Sequence, residues 1–204
     1  TSTDDTTRQG AEQFSTSQSD AIAAALRYLK LPVVEKVVVA DVLGAGPAHD
    51  IIHAGDQILS IDGVAMTRPE QVVAAVRSQP VGTMLHFDVI RDGTEMKVSV
   101  TSAARTDDPQ TPENEAGIPY VGAGVDTLYA ATFDVSFDVA GVGGPSAGTM
   151  FALAIVDKLT PGTMTGGKNI AGTGTIDADG TVGDIGGIVQ KMAGARKAGA
   201  ELFL

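Results

Sequence analysis

A short polar segment divides this chain of 204 residues into two parts, and the division limits the fold more than any other feature. Residues 103–117 (AARTDDPQTPENEAG) contain two prolines, four acidic residues and no large apolar side chain. Such a composition is typical of a linker between domains. Because a chain of this length is long enough for two small domains, we expect one on each side of the linker.

The part before the linker is predicted to be rich in strands. Residues 83–102 alternate apolar and polar side chains around Asp92 and Gly93, a pair that favours the tight turn of a β-hairpin. A strand is predicted over 33–42 and an amphipathic helix over 68–79.

The chain begins with a polar segment. Residues 1–19 lack a sustained periodicity and are predicted to be a flexible arm. Residues 20–32 are predicted to be a helix and a lead-in to the first domain, which spans 33–102. The second domain is predicted over 118–204.

Composition excludes several classes of function. The net charge of −11 argues against nucleic acid and anionic membrane surfaces as partners, because both need clustered Lys and Arg. Solubility alone also explains this acidity. The absence of cysteine excludes thiol catalysis and Cys-ligated zinc. The histidines (His49, His53 and His86) lack a third ligand nearby, so we predict no metal site and no cofactor.

Residues 162–169 (GTMTGGKN) nearly match a phosphate-binding loop. Asn169 replaces the Ser or Thr hydroxyl that would hold Mg²⁺, and residues 159–161 end a helix rather than a strand. We therefore expect a loop before the next strand and no bound nucleotide.

The stretch 143–148 (GGPSAG) is the most informative for chemistry. It follows a predicted strand over 133–141 and opens a helix predicted to run through Leu159. Ser146 would lie where free backbone N–H groups can hold the negative oxygen formed when a carbonyl is attacked. A serine at a helix start is also an ordinary cap, so the stretch alone leaves both roles open.

A nucleophilic serine needs a base, and the part after the linker contains no histidine. Lysine can act as the base where burial among apolar groups lowers its pKa. Lys191 is the strongest candidate, because it lies in a helix of small residues (188–200) that can pack closely and exclude water. The same pattern fits a solvated surface lysine, so patterning alone does not decide.

Four segments after the linker occur in a specific order: 144–148 (GPSAG), 171–176 (AGTGTI), 180–183 (GTVG) and 186–191 (GGIVQK). Together they resemble the proteolytic domain of Lon proteases. The resemblance implies a dyad of Ser146 as nucleophile and Lys191 as general base, with Thr173 orienting the lysine. It also implies that the backbone at Gly144 and Ala147 lies near the oxyanion and the substrate.

Two features depart from the Lon pattern. Many Lon proteases have an acidic residue two positions before the proline, where this chain has Gly143. A Lon-type domain also continues beyond the strand that is predicted at 200–204. We therefore expect the domain to be C-terminally truncated at Leu204.

Three motifs before the linker also occur in a recognisable order: 46–48 (GPA), 54–56 (AGD) and 58–63 (ILSIDG). With the helix over 68–79 they resemble a bacterial, protease-associated PDZ domain. In that family a peptide adds as a strand beside an exposed edge, with the helix as the other wall. The resemblance places a carboxylate-binding loop near 29–36. A spacer or an autoinhibitory cover would have the same fold.

The two resemblances imply an α+β fold class, with an N-terminal PDZ-like, β-rich domain followed by a Lon-type α/β proteolytic domain. They predict an ATP-independent serine endopeptidase that hydrolyses extended or unfolded polypeptides through an acyl-enzyme, without cofactor, metal or nucleotide. The alternative is a non-enzymatic, peptide-binding PDZ protein with an inactive Lon-like fold.

The subgroup that combines these domains is bacterial and lacks an ATPase module. Its members are typically anchored by a transmembrane helix ahead of the PDZ domain, with both domains outside the cytoplasm. We therefore expect an extracytoplasmic, membrane-anchored protein whose partners are polypeptide substrates and a peptide in the PDZ groove. Ring hexamers are common among Lon relatives, so the resemblance also implies a homo-oligomer.

Overall fold

The computed structural model describes residues 3–106, 115–139 and 144–204. The chain divides into two compact units. We call Glu35–Leu128 the contiguous unit. We call Thr1–Val34 together with Tyr129–Leu204 the split unit.

The described residues form helices and strands in both units. In chain order these are α1 (Thr3–Tyr28), β1 (Val34–Val42), β2 (Gln57–Ile61), β3 (Val64–Ala65), α2 (Pro69–Arg77), β4 (Met84–Arg91), β5 (Thr94–Thr101), β6 (Ala103–Ala104), β7 (Pro119–Tyr120), β8 (Ala123–Ala130), a 3₁₀ turn (Pro145–Ala147), α3 (Gly148–Leu159), β9 (Ile170–Ala171), β10 (Thr175–Ile176), β11 (Val182–Gly183), α4 (Ile188–Lys197) and β12 (Leu202–Phe203). None of the described helices combines the length and the apolar character that crossing a bilayer requires.

The contiguous unit is built on a sheet with the strand order β5-β4-β2-β1-β8, and β3 pairs with β2. The hairpin predicted around Asp92 and Gly93 is confirmed, with β4 antiparallel to β5 from Met84↔Thr101 to Arg91↔Thr94. Both turn residues have positive φ angles, 49° and 76°, as this kind of tight turn requires. The predicted helix is confirmed as α2, which places Val72 and Val76 in the core.

The boundaries predicted between the domains need correction. Strand β6 pairs with β7, and β8 lies beside β1 in the main sheet. Val121, just before β8, is buried in the core of the contiguous unit. The proteolytic domain predicted from 118 therefore begins too early, because burying these apolar residues extends the contiguous unit to Leu128. Within the linker predicted over 103–117, residues 107–114 lie outside the described residues.

Within the flexible arm predicted over 1–19, residues 3–19 are helical in the structure, and residues 1 and 2 lie outside the described part. One helix, α1, runs through it and ends at Tyr28. The side chains of Phe14, Ala21 and Ala25 recur at helical spacing and pack into the core of the split unit. Contacts with α3, far away in the sequence, thus stabilise a segment whose own composition is polar.

Two further predictions in the split unit have different outcomes. The strand predicted over 133–141 is not paired within residues 133–139, although Val135 and Phe137 still alternate inward onto the core. Residues 140 and 141 lie outside the described part. The predicted strand near the end of the chain is confirmed as β12, which pairs in parallel with β9.

Candidate active site

Ser146 lies in the 3₁₀ turn that leads directly into α3. Pro145 suits the start of this turn, because its ring fixes φ near the helical value and its missing N–H needs no partner there. Ser146 and Ala147 are half-buried. The helix predicted to run from this stretch to Leu159 is confirmed.

Gly144 precedes the turn with φ 79° and ψ 177°. Residues with a Cβ atom rarely adopt this backbone conformation, so the turn requires glycine here. Among the described residues, no atom lies within 4 Å of the position that a Cβ would occupy. The backbone of Gly144 is therefore open on the side where a Cβ would lie. Gly143, which departs from the Lon pattern, lies outside the described residues.

Two donors converge on the carbonyl oxygen of Ser146. Thr173 Oγ1 donates a hydrogen bond to it at 2.9 Å. The backbone N–H of Gly174 donates to the same oxygen at 2.8 Å. Because the C=O and N–H of one trans peptide unit point in opposite directions, these bonds also set the direction of the Ala147 N–H.

Lys191 lies in the first turn of α4, which starts after Gly187. It and Ala195 are the only residues of α4 that are not classed as exposed. Lys191 Nζ donates to Thr173 Oγ1 at 3.0 Å. No hydrogen bond joins Lys191 directly to Ser146 within the described residues. The two are instead connected through the Thr173 hydroxyl, which accepts from one and donates to the other.

Backbone contacts fix the segment that carries Thr173. Its N–H donates to the carbonyl of Leu204 at 3.1 Å, beside the parallel pair of β9 and β12. On the other side, the Thr149 N–H of α3 donates to the Gly174 carbonyl at 3.1 Å. The candidate site is thus assembled from three elements: the start of α3, the start of α4 and the segment between β9 and β10.

Sequence reasoning missed two contributors to this site. One is Gly174, whose N–H holds the Ser146 carbonyl. The other is Ser17 of α1, whose Oγ donates to the Pro145 carbonyl at 3.0 Å. The helical spacing of Phe14, Ser17 and Ala21 was the one available signal for the second contributor.

A second candidate site is a groove of about 240 Å³ in the contiguous unit. One wall is α2, whose Val73 is 41% exposed, and the opposite wall is the segment 119–125. The helix was predicted correctly as one wall. None of the residues 29–36 lines this groove, and the carboxylate-binding loop that the resemblance places there stays a prediction.

One part of the groove carries two guanidinium groups. Arg77 and Arg105 both line it. Glu115 forms ion pairs with both, each at 2.8 Å. Asp41 is the acidic residue among those lining the groove. No cluster of acidic and histidine side chains suited to a metal ion occurs among the described residues.

Comparison with known families finds matches to two domains in separate parts of the chain. Residues 12–101 match the model of the PDZ domain, and residues 139–204 match the model of the Lon protease (S16) C-terminal proteolytic domain. The chain therefore carries the proteolytic domain of a protease. With the PDZ domain ahead of it, the domain composition is that of a PDZ-containing Lon-like protease.

Several solved structures are similar to part of the chain. The PDZ domain of an SdrC-like protein from Listeria monocytogenes is 25% identical, with 44% of this chain and 85% of that one covered and a TM-score of 0.37. The corresponding domain from Listeria innocua is 25% identical, with 43% and 90% covered and a TM-score of 0.36. A protein from Geobacillus thermodenitrificans is 31% identical, with 34% and 80% covered and a TM-score of 0.32.

Proposed function

We propose that this protein is an ATP-independent serine endopeptidase that cleaves extended or unfolded polypeptides with a dyad of Ser146 and Lys191. The observation that carries the proposal is the hydrogen-bonded connection from Lys191 Nζ through Thr173 Oγ1 to the carbonyl of Ser146. It brings a half-buried amine to the start of the helix that presents the serine. The match to a proteolytic domain supplies the reaction class.

The chemistry assigns one role to each group. Ser146 Oγ attacks the scissile carbonyl carbon while neutral Lys191 Nζ takes the hydroxyl proton. Backbone N–H groups at Ser146 and Ala147 hold the oxyanion. Lys191 then returns the proton to the leaving amine, which departs as the acyl-enzyme forms. Water, deprotonated by Lys191, hydrolyses this ester and restores Ser146.

The reaction requires Lys191 Nζ to reach Ser146 Oγ, and in the structure it bonds Thr173 instead. Catalytic hydrogen bonds often become shorter and better aligned only when substrate is bound. Rotation of the long lysine side chain can supply this movement. Thr173 then acts as the resting partner that keeps the amine beside the turn.

The test is cleavage of casein and of a fluorogenic peptide by the intact protein. Ser146→Ala and Lys191→Ala are each expected to abolish turnover. Lys191→Arg is expected to abolish it too, because a guanidinium cannot act as a base at neutral pH. Trapping with an activated peptide ester should add mass to Ser146 alone.

The matched controls are Ser136→Ala, an exposed serine of the split unit, and Lys197→Ala, an exposed lysine on α4 itself. Both should cleave at the wild-type rate. Unchanged turnover in Ser146→Ala or in Lys191→Arg would show that the dyad is wrong.

We further propose that the groove beside α2 binds an extended peptide and that Arg77 and Arg105 recognise a carboxylate on it. Charge complementarity supports this, since both arginines line the groove and already hold a carboxylate, that of Glu115. Arginine forks bind carboxylates in a defined geometry. The same groove would be the binding site in the alternative hypothesis, in which the protein binds peptides without cleaving them.

Calorimetry tests the groove with the Ser146→Ala protein, so that no peptide is consumed. Peptides with a free C-terminus are compared with amidated ones, and peptides with an acidic side chain with their amide counterparts. Glu115→Gln should tighten binding of whichever peptide carboxylate the groove prefers, because it removes the Glu115 carboxylate that pairs with Arg77 and Arg105 in the free protein. Glu70→Gln, on an exposed residue of α2 outside the groove, is the control. Equal affinities across all four peptides would refute carboxylate recognition.

The extracytoplasmic location, the membrane anchor and the hexameric assembly are also proposals. They rest on the family resemblance alone. Protease protection in spheroplasts and light scattering of the purified protein would test them.

A further inference from the structure

Ser17 is a buried polar residue of α1, and its side chain contacts the candidate nucleophile turn. Its side chain is 4% exposed. Its Oγ donates to the Pro145 carbonyl oxygen at 3.0 Å, across 128 residues of sequence. A buried hydroxyl that is bonded in this way holds its partner in one orientation.

The packing around this contact leaves little freedom. A Cβ on Gly148, the first residue of α3, would lie 2.8 Å from Ser17 Oγ and 3.0 Å from Ile176 Cγ2. The glycine therefore allows α1 to approach the turn closely. Phe14, one turn earlier on α1, makes an edge contact with Phe151 at 5.7 Å and holds the same face of the helix in place.

The Pro145 carbonyl belongs to the same peptide unit as the N–H of Ser146. In a trans peptide the two groups point in opposite directions, so a bond that fixes the carbonyl also aims the N–H. The carbonyl of Ser146 is fixed by Thr173 and Gly174 in the same manner. Both peptide units that present N–H groups at the turn are thus held, and the Pro145 carbonyl accepts from the Gly148 N–H of the turn as well as from Ser17 Oγ of α1.

We infer that Ser17 is a positioning residue for the catalytic turn, acting through the Pro145 carbonyl to aim the Ser146 N–H at the oxyanion. The inference rests on the proposed function, since it assigns an effect on the same reaction. Donors that are fixed before the reaction stabilise developing charge without reorganisation. Ser17 itself touches neither substrate nor reacting atoms.

The test compares Ser17→Ala with Ser15→Ala, an exposed serine on the same helix. In the intact protein, Ser17→Ala should lower kcat about tenfold and leave KM within about twofold, because one hydrogen bond that matters in the transition state is lost. Ser15→Ala should match wild type. Rates are expressed per folded molecule, with folding measured by circular dichroism.

If Ser17→Ala does not fold, Ser17→Cys replaces it, since the thiol is similar in size but a weak donor. The inference is overturned if the Ser17 variant that folds, Ser17→Ala or Ser17→Cys, has a kcat within twofold of that of Ser15→Ala.

A second measurement does not depend on activity. Ser17→Ala should accelerate hydrogen exchange of the Gly174 amide, which bonds the turn, at least about tenfold relative to Ser15→Ala. Faster exchange without turnover in the wild type would refute the proposed function but keep the positioning role. Unchanged exchange overturns the inference whatever the activity.

Discussion

The hydroxyl of Thr173 takes part in both hydrogen bonds that connect Lys191 to the candidate nucleophile turn. A hydroxyl group can accept and donate at once, whereas a methyl group of the same size can do neither. Thr173 therefore allows a direct test at the scale of one atom.

Thr173→Val should lower kcat by about tenfold to a hundredfold, because both the amine and the turn lose a fixed partner. Thr173→Ser keeps the hydroxyl and should stay within about threefold of wild type. Steady-state kinetics on a peptide substrate measures both. Equal rates for the valine and serine variants would contradict the role of the hydroxyl.

Asp56 in the contiguous unit shows how a buried charge is stabilised. It is 1% exposed, and two nitrogen atoms of Arg91 donate to its carboxylate at 2.8 and 2.6 Å. Burial alone would raise the pKa of the Asp56 carboxyl group. The hydrogen bonds from Arg91 and from the His53 backbone N–H, with the charge of Arg91, outweigh burial and leave the pKa below 3.8.

Because the folded pKa is the lower one, the unfolded chain binds the proton first. The stabilisation from this carboxylate is present above 3.8 and is lost as the pH falls through the folded pKa. Asp56→Asn should cost about 3 kcal/mol at neutral pH, because Arg91 loses its charged partner. Urea unfolding between about pH 6 and pH 2 should show the two proteins converging in acid. A difference that stays constant with pH would contradict this.

At the scale of whole elements, sequence patterns predicted correctly those helices and strands that depend on residues close together in the sequence. The hairpin around Asp92 and Gly93, the helix α2 and the helix through Leu159 follow from alternation, turn residues and helical spacing. The length of α1 and the wall of the groove at 119–125 depend on contacts across the sequence. No window of sequence contains those contacts, so neither the full length of α1 nor the wall at 119–125 was predicted.

Helix α1 should depend on its contact with α3. Phe14→Ala removes the edge contact with Phe151 and should lower the free energy of unfolding by about 2 kcal/mol, since Phe14 is half-buried. Thr16→Ala, on an exposed residue of the same helix, should have almost no effect. Thermal unfolding measures both. Equal midpoints for the two variants would mean that α1 does not stabilise the split unit.

At the scale of the whole molecule, the candidate site and the groove belong to different units. The residues of the proposed dyad lie in the split unit, and the groove lies in the contiguous unit. Ser146 and Lys191 were predicted from the resemblance of four short segments to Lon proteases, because patterning alone left the role of each residue open. Ser17 was not predicted, because its partner lies 128 residues away.

The fragment 35–128 should fold alone and unfold cooperatively. The fragment 33–102, bounded by the predicted linker, should unfold at a lower temperature or not fold at all. The shorter fragment lacks β8, the edge strand beside β1, and it lacks the buried side chain of Val121 in the core. Circular dichroism during heating tests both fragments. Equal midpoints would favour the shorter boundary.

The split unit also has a consequence for synthesis on the ribosome. Helix α1 is synthesised before the contiguous unit, but its partner at Pro145 follows 128 residues after Ser17. At about 5–20 residues per second, synthesis of these 128 residues takes about 6 to 26 s, during which the contiguous unit can already fold. During this interval the apolar side chains of α1 lack their packing partner α3 and are accessible to chaperones. The candidate site can assemble only after Lys191 and Leu204 have been synthesised, because both donate to or accept from Thr173.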